Sequence, residues 1–390
     1  MVVLCIAEEY NYLTVQQFKF ICYHLRFTQI IKAYNIMITK TILTLTITLY
    51  SLAAMGQTQW RWLVKPRYEL AYDFSEGLSS VKAGGKWGYI NLKGKLVIPA
   101  KYTAAAPFSE GLAAIGMGKM GGFINKKNEV VITPRKGNFN SFSDGRAVYF
   151  KPSDKPNASP YETTYGFIDK TGKMVIAPTR NINPNVTYTF SEGFCKVMDK
   201  KSLFINRNGN HLEMTAVSDA QDFSGGFAAV QSASGPKWGF MNKKGSVVIP
   251  FRYYEVGHEG FKQGFCAVAL NYGEWIYINQ AGKSMFGQTF KEAKAFSEGL
   301  AAVAKDDVNG QKLFGFIDKT GKMVIKPQFK SYTHKAFSEG MVAFKQGKLW
   351  GFMNKKGQVA IKPQFEEVGN FKEGRCPVKY NGKWGVIQKK

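Results

Sequence analysis

One short segment recurs nine times along the chain, and this repetition constrains the fold more than any other feature. The segment "FSEGL" at Phe74 returns with small variations at intervals of 33 to 48 residues. The nine copies begin at Phe74, Phe108, Phe142, Phe190, Phe223, Phe261, Phe296, Phe337 and Phe371. A period of this length indicates a repeat architecture, in which each unit buries its apolar surface against its neighbours.

A second block follows each copy after a short interval: "WGYIN" at Trp87, "WGFMN" at Trp238 and Trp350, "WIYIN" at Trp275 and "WGVIQ" at Trp384 are examples. A third block, such as "GKLVIPAKY" or "GKMVIKPQF", usually comes next. In this pattern the chain resembles the WG-repeat (WG-containing β repeat, KWG-like) family of bacterial proteins over about residues 60 to 390. Two copies depart from the pattern, because Ser202-Leu203 and Trp275-Ile276 lack the glycine. The resemblance supplies no catalytic residues.

The three blocks predict three short strands, which Gly- and Pro-containing turns separate. The turn after "WGYIN" places Asn or Asp first and usually Gly near its end, which indicates a tight hairpin. Apolar side chains occupy both faces of these strands, so each sheet must be covered on both sides. We therefore expect an all-β fold of nine tandem three-stranded antiparallel β-meanders. Unequal repeat lengths favour stacking in an open superhelical array, with a closed β-propeller as the alternative.

The repeated tryptophans are interpreted as a stacking core, because burial of about 200 Å² of indole surface contributes about 5 kcal/mol before ordering costs. The alternative is an exposed aromatic ladder that stacks on sugar rings or bases. The glycine that usually follows the tryptophan suggests a close approach between neighbouring sheets. The predicted core tryptophans are Trp87, Trp238, Trp275, Trp350 and Trp384.

The first 56 residues differ from the rest. Residues 37–56 combine Lys40, a short apolar run interrupted by threonines and small residues at the end, which is the layout of a secretory signal peptide. We expect cleavage near Gly56/Gln57, with residues 1–36 an upstream extension or the product of a mis-assigned start. An uncleaved N-terminal anchor is the alternative. Residues 57–390 form the nine repeats, with a Pro/Ser-rich loop insertion at 151–164. The expected location is periplasmic, secreted or in the cell envelope, without a stable membrane span after signal removal.

The formal net charge is +25, which favours anionic partners. Lysines recur in the second hairpin turn and just before the Trp block, and equal positions in a regular stack form rows. Rows of positive charge attract polyanions, whereas lysines in solvated turns that deter edge pairing are the alternative. The candidate binding residues are Lys86, Lys93, Lys127, Lys170, Lys237, Lys243, Lys319 and Lys355.

Other polar residues give weak signals of chemistry. His211, His258 and His334 lie at different positions of their repeats, and the usual catalytic and metal-binding motifs are absent from the sequence. Cys195, Cys266 and Cys376 share one strand position in separate repeats, so we expect small buried side chains rather than a disulfide or a metal site. The repeated acids Glu76, Glu110, Glu192, Glu298 and Glu339 indicate turn chemistry, with local hydrogen bonds or a facing lysine.

Together these features favour a non-enzymatic exported scaffold that binds a partner protein or an anionic envelope polymer, without a cofactor. Nucleic acid is a less favoured partner. The alternative is an enzyme or enzyme accessory with a site in an irregular part, either the 151–164 insertion or the linker around His258. Convergence of a histidine with carboxylates in a concave pocket would favour this alternative.

Overall fold

The computed structural model describes residues 60–389 except 156, 160–161, 182–187, 198–202 and 331–335. The predicted signal peptide, the upstream extension and His334 lie outside the described residues. Within them the secondary structure is β, with no α-helix, as the sequence predicts. No helix in this part has the length and hydropathy needed to cross a bilayer.

The described strands form nine antiparallel sheets, numbered here in chain order. Strand β1 (Trp60–Tyr68) comes first, and sheet one contains β2 (Leu70–Ala71), β3 (Leu78–Ala83), β4 (Lys86–Asn91) and β5 (Leu96–Tyr102). Sheet two contains β6 (Ala104–Ala105), β7 (Leu112–Met117), β8 (Met120–Asn125) and β9 (Val130–Lys136). Sheet three contains β10 (Asn138–Phe139), β11 (Ala147–Lys151), β12 (Thr164–Ile168) and β13 (Met174–Asn181). Sheet four contains β14 (Phe190–Ser191), β15 (Phe194–Lys196) and β16 (Phe204–Asn206). Sheet five contains β17 (Val217–Ala220), β18 (Phe227–Ser232), β19 (Trp238–Asn242) and β20 (Val247–Tyr253). Sheet six contains β21 (Glu255–Val256), β22 (Phe265–Asn271), β23 (Glu274–Asn279) and β24 (Ser284–Phe290).

Sheet seven contains β25 (Glu292–Ala293), β26 (Leu300–Asp306), β27 (Lys312–Asp318) and β28 (Met323–Phe329). Sheet eight contains β29 (Met341–Gln346), β30 (Leu349–Asn354) and β31 (Val359–Phe365). Sheet nine contains β32 (Glu367–Val368), β33 (Arg375–Tyr380) and β34 (Lys383–Lys389), together with β1. Seven of the nine described sheets have four strands rather than the three predicted. The additional strand is generally the two-residue segment before the "FSEG" turn, which is too short to give a periodic sequence signal.

The ring closes through the ends of this chain segment. Strand β1 pairs antiparallel with β34, with Trp60 opposite Lys389, and supplies the outer strand of sheet nine. The nine sheets are therefore the blades of a closed propeller, which confirms the alternative that the sequence left open, and the favoured open array is wrong. Length variation did not prevent closure because it falls in connections such as that between β11 and β12, which contains the 151–164 insertion.

Both faces of the blades are buried against neighbours. In blade one, Trp87 and Tyr89 pack with Ile115 and Ile124 of blade two, whereas Ile90 and Val81 pack with Val386 of blade nine, among others. Nine such clusters of the described residues account for the nine successive blade pairs. Burial on both faces, inferred from strand parity, is what makes stacking of the blades necessary.

The glycine after tryptophan has a different cause from the one expected. In blade eight, a Cβ on Gly351 would lie 2.5 Å from the carbonyl oxygen of Ile361, on the adjacent outer strand β31 of the same blade. The register between β30 and β31 is irregular there, because three residues of β31 lie opposite Gly351. The close approach is therefore within a blade, at a bulge, and not between blades.

Candidate functional site

Each "FSEG" segment forms a two-residue hairpin turn at one end of the propeller. In blade one, Ser75 and Leu78 exchange both backbone hydrogen bonds, and the central residues Glu76 and Gly77 have φ values of 54° and 88°. Positive φ at both central positions defines a type I′ turn, in which Gly and Asn are preferred and Glu is unusual. The glutamate must therefore have a compensating role.

In eight of the nine turns, the side chain of the first central residue, an acid in seven of them, reaches the turn of the following blade. Glu76 accepts from the Gly111 N–H at 3.1 Å, and Asp144 accepts from the Gly193 N–H at 2.6 Å. The same contact runs from Glu110, Glu192, Gln263, Glu298 and Glu339 to the next turn, and from Glu373 to Gly77 across the closure. Blade five has Gly225 at this position. Seven turn serines add hydrogen bonds from Oγ to the phenylalanine carbonyl of the next blade: Ser75, Ser109, Ser143, Ser191, Ser224, Ser297 and Ser338.

A basic residue faces most of these carboxylates from the second hairpin of the next blade, at the position directly after its Asn or Asp. The ion pairs are Lys126–Glu76, Lys170–Glu110, Arg207–Asp144, Lys243–Glu192 and Lys355–Glu298, at 3.0 to 3.3 Å. In the blade after Gly225, the position of the cation is occupied by Gln280, which donates to the Gly225 carbonyl oxygen. In the blade after the neutral Gln263, this position is occupied by Lys319. The repeated acids therefore face lysines, as the sequence analysis expected, but their hydrogen bonds join neighbouring blades.

Three carboxylates of this ring, Glu76, Glu192 and Glu298, are held in the ionised form. Partial burial of Glu76, Glu192 and Glu298 by itself raises the pKa. Hydrogen bonds from lysine and backbone N–H groups outweigh that effect, so the pKa of each of these carboxyls lies below its usual value. We call the end of the propeller that carries this ring the carboxylate end.

The predicted lysines lie at two opposite ends of the propeller, and those at the carboxylate end differ in whether they form ion pairs. At the carboxylate end, Lys170, Lys243 and Lys355 are ion-paired within the ring. Lys93 and Lys127 occupy the next position of the hairpin and are exposed, as are Lys244 and Lys356 at the same position of other blades. Within the described part of the chain these four form no ion pair within 4 Å, and we call them the lysine row.

Lys86 and Lys237 lie at the opposite end, close to where β4 and β19 begin. This end carries the exposed Tyr72, Tyr254, Tyr272 and Tyr380, and we call it the tyrosine end. The ammonium of Lys237 lies 5.8 Å from the ring centroid of Tyr254. Tyr72 stacks on Trp87 with centroids 5.3 Å apart.

The predicted core tryptophans lie between blades. Trp87, Trp275 and Trp384 are buried, and Trp238 and Trp350 are half-buried against the core clusters. Cys195, Cys266 and Cys376 are fully buried, and burial raises the pKa of the Cys195 and Cys266 thiols. The described residues contain no group of three or more His, Cys, Asp or Glu side chains that could hold a metal ion.

One groove brings a histidine together with carboxylates. It has a volume of about 460 Å³ and lies between blades six and seven, where exposed His258 and Glu259 face Trp275 and Glu292. Burial opposes ionisation of Glu292, but hydrogen bonds from Lys294 and Lys312 outweigh it and lower the pKa of this carboxyl. His211 is half-buried in blade four, outside this groove.

Comparison with solved structures finds propeller-like chains of low similarity. BamB from Moraxella catarrhalis is 10% identical, with 86% of this chain and 99% of that chain covered and a TM-score of 0.43. A eukaryotic initiation factor is 12% identical over 82% and 97% of the two chains, with a TM-score of 0.42. The dihydro-heme d1 dehydrogenase NirN is 14% identical over 80% and 78%, with a TM-score of 0.42. Likenesses of this degree carry no information about function.

No curated protein matches the sequence. The family model described as "WG containing repeat" does match, over residues 61–87, 87–119, 122–151, 165–179, 238–276, 277–308, 314–350 and 350–384. These matches span most of the propeller and agree with the motifs that form its second hairpins and outer strands. The chain therefore belongs to the WG-repeat family.

Proposed function

We propose that this chain is an exported, non-enzymatic scaffold that binds an anionic polymer of the cell envelope through the carboxylate end. The fold supplies a repeat scaffold with equivalent positions in successive blades. The observation that carries the proposal is a difference in ion pairing between the first and the second residue after the Asn or Asp of the second hairpin. Cations at the first position are mostly neutralised by the ring, whereas Lys93, Lys127, Lys244 and Lys356 are exposed and unpaired within the described residues.

Unpaired lysines that recur at one position of several blades suit a flexible polyanion better than a compact ligand. A polymer can contact several blades in turn, and each contact releases counterions, so the affinity falls steeply with salt. The ring carboxylates beneath the row are already satisfied by N–H groups and paired cations, which limits their repulsion of an incoming anion. The tyrosine end also carries lysines and provides the natural comparison.

The test is elution from heparin–agarose in a salt gradient. The variant K93Q/K127Q/K244Q/K356Q should elute at clearly lower salt than the wild type, with a shallower dependence of binding on salt. The matched control is K86Q/K119Q/K348Q/K383Q, which removes the same charge from exposed lysines at the tyrosine end and should elute close to the wild type. Equal shifts for the two variants would mean that net charge alone governs retention, and the proposal would then be wrong.

Export is part of this proposal and rests on the composition of residues 37–56. Expression in the native host should yield a mature protein outside the cytoplasm that begins at or near Gln57. N-terminal sequencing of the fractionated protein tests this, and a cytoplasmic protein that retains residues 37–56 would refute it.

A second candidate function, an enzyme or enzyme accessory, is favoured by the groove that contains His258. We place it second because Glu292 and Asp306 in this groove are paired with lysines, and Glu292 is held in its charged form. A screen of envelope glycans and peptides with wild type and His258→Ala would distinguish the two. Turnover that the substitution abolishes would establish the enzyme, and turnover in neither protein would reject it for those substrates.

A further inference from the structure

Blade six breaks the repeat pattern on its outer edge. Strand β24 has the sequence "SMFGQTF" and contains no proline, whereas the outer strands of seven other sheets each contain one; described sheet four ends at the short strand β16, which also has none. These prolines are Pro66, Pro99, Pro134, Pro178, Pro250, Pro327 and Pro363. Proline on an edge strand removes an N–H donor and protects the edge against pairing with another chain. The edge of blade six lacks this protection.

The same blade has an enlarged bulge. Ile276 replaces the glycine that follows tryptophan, and four residues of β24 lie opposite it instead of the three found opposite Gly351. The fourth residue of this bulge gives space for the Ile276 side chain, in a strand of the same length as its equivalent in blade seven. It also places Phe286 and Gly287 at φ values of 68° and 59°, and positive φ is unfavourable for an aromatic residue. Packing of Phe286 against Phe265 and Tyr277 holds this conformation.

A groove of about 690 Å³ lies beside this edge, between blades five and six. Leu270, Ile276 and Ile278 supply apolar lining, and Arg252 and Lys283 supply its charge. The Arg252 guanidinium donates to the Tyr253 hydroxyl and to the Gly282 carbonyl oxygen, which are neutral acceptors. No acidic side chain of the described residues lines the groove, so its positive charge is uncompensated.

We propose that the outer edge of blade six binds an extended peptide by strand addition. The partner is an acidic segment with an apolar residue at alternate positions. Its backbone pairs with the free edge of β24, its apolar side chains enter the groove over Ile276, and its carboxylates face Arg252 and Lys283. Backbone pairing supplies the affinity in this mode of recognition, and the pocket for alternate side chains supplies the selectivity. The site is separate from the lysine row and does not depend on polymer binding there.

The probe is fluorescein-labelled Glu-Val-Glu-Ile-Glu-Val-Glu, amidated at its C-terminus, with the corresponding Lys-Val-Lys-Ile-Lys-Val-Lys peptide as charge control. Fluorescence anisotropy with the wild-type protein should show saturable binding of the acidic peptide that weakens with salt. The lysine peptide should bind at least tenfold more weakly. Absence of saturable binding, or equal binding of both peptides, would overturn the proposal.

Two sets of N-methylated acidic peptides then test backbone pairing. Methylation of alternate amides removes the donors on one side of an extended strand. One set of alternate positions should abolish binding and the other should leave it within about threefold, because one side of the added strand faces β24. Equal effects of the two sets would exclude strand addition.

The matched protein variant restores the common pattern in blade six. It combines Ile276→Gly with replacement of residues 284–290 by "MVIKPQF", the sequence of residues 323–329 in blade seven. We expect at least a tenfold loss of peptide affinity with an unchanged circular dichroism spectrum. The double variant R252Q/K283Q, which leaves the edge intact, should reduce affinity about fivefold at low salt. Wild-type affinity in either folded variant would contradict the proposal. Both variants retain the four residues of the lysine row, so failure here and failure of polymer binding are distinguishable.

Discussion

At the scale of single residues, the turn glutamates explain why this repeat tolerates an unfavourable backbone conformation. A non-glycine residue in the left-handed region costs about 1 kcal/mol or more. The glutamate offsets this cost because its charged side chain accepts a hydrogen bond from the next blade, a type of bond that contributes about 1.5 to 3 kcal/mol. Gly225 in blade five marks the one described turn where the chain avoids the conformational cost and forgoes the contact.

The first prediction concerns pH. Because the pKa of Glu76, Glu192 and Glu298 is lowered in the folded protein, these groups stabilise the fold fully above their unfolded pKa, near 4.5. That stability is lost as the pH falls through the lower folded pKa. The melting temperature should therefore change little between about pH 7 and 5 and fall in more acidic solution. The triple variant E76Q/E192Q/E298Q should show a shallower acid decline, as Gln263 is the natural neutral form.

Thermal unfolding followed by circular dichroism across this pH range is the measurement. The exposed Glu129, which lies outside the ring, provides a control through Glu129→Gln. An acid decline of equal steepness in the triple variant and the wild type would show that these carboxylates do not contribute.

At the scale of the element, the residue that follows the aromatic side chain is matched to the size of the bulge opposite it in the outer strand of the same blade. Most blades combine a glycine after the aromatic residue with a three-residue bulge, and blade six combines Ile276 with a four-residue bulge. Either combination leaves room for the backbone. The pair of changes explains why the departure at Ile276 does not disrupt the blade, a point that the motif alone left open.

The second prediction follows from this match. Gly351→Ala should reduce the free energy of unfolding by about 3 kcal/mol, because the new Cβ would meet backbone atoms of Ile361 and Pro363 that cannot move freely. Gly235→Ala is the control, since no atom lies within 4 Å of its added Cβ, and it should change stability by less than about 0.5 kcal/mol. Urea unfolding of both variants checks this, and equal stabilities would contradict the bulge argument.

At the scale of the whole molecule, closure depends on contacts between the first and last blades. Strand β1 completes blade nine, Glu373 accepts from the Gly77 N–H, and the Asn370 side chain donates to Asp73 at 2.8 Å. Trp60 and Trp62 pack on Phe365 with centroids 5.7 and 6.2 Å apart. One strand from the start of the sequence therefore joins the two ends of the repeat array.

The third prediction tests this closure. Removal of residues 57–68 should lower the melting temperature by at least about 10 °C and promote association, because it uncovers the edge of β34 and the Phe365 cluster. A circular permutant that joins residue 389 to residue 57 through a short linker, with new termini between Lys155 and Ser159, should melt within a few degrees of the wild type. A truncated chain as stable as the wild type, or a permutant that fails to fold, would contradict a closed ring in solution.

The sequence alone determined the number of repeats, the β class, the family and the burial of both blade faces. These properties are local or periodic, since they depend on residue parity and on turn chemistry that recurs in each copy. The turn role of Glu76 and its equivalents was also predictable, because Ser, Glu and Gly in this order indicate a turn.

Only the tertiary structure decided whether the array is open or closed, since closure depends on the pairing of β1 with β34, which no single repeat encodes. It also decided which lysines are neutralised. Lys126 and Lys127 are adjacent in sequence, yet only the first meets a carboxylate of the preceding blade, because the stagger between neighbouring blades sets which hairpin position lies over the ring. Contacts between repeats are the physical origin of both results, and a sequence met one repeat at a time does not contain them.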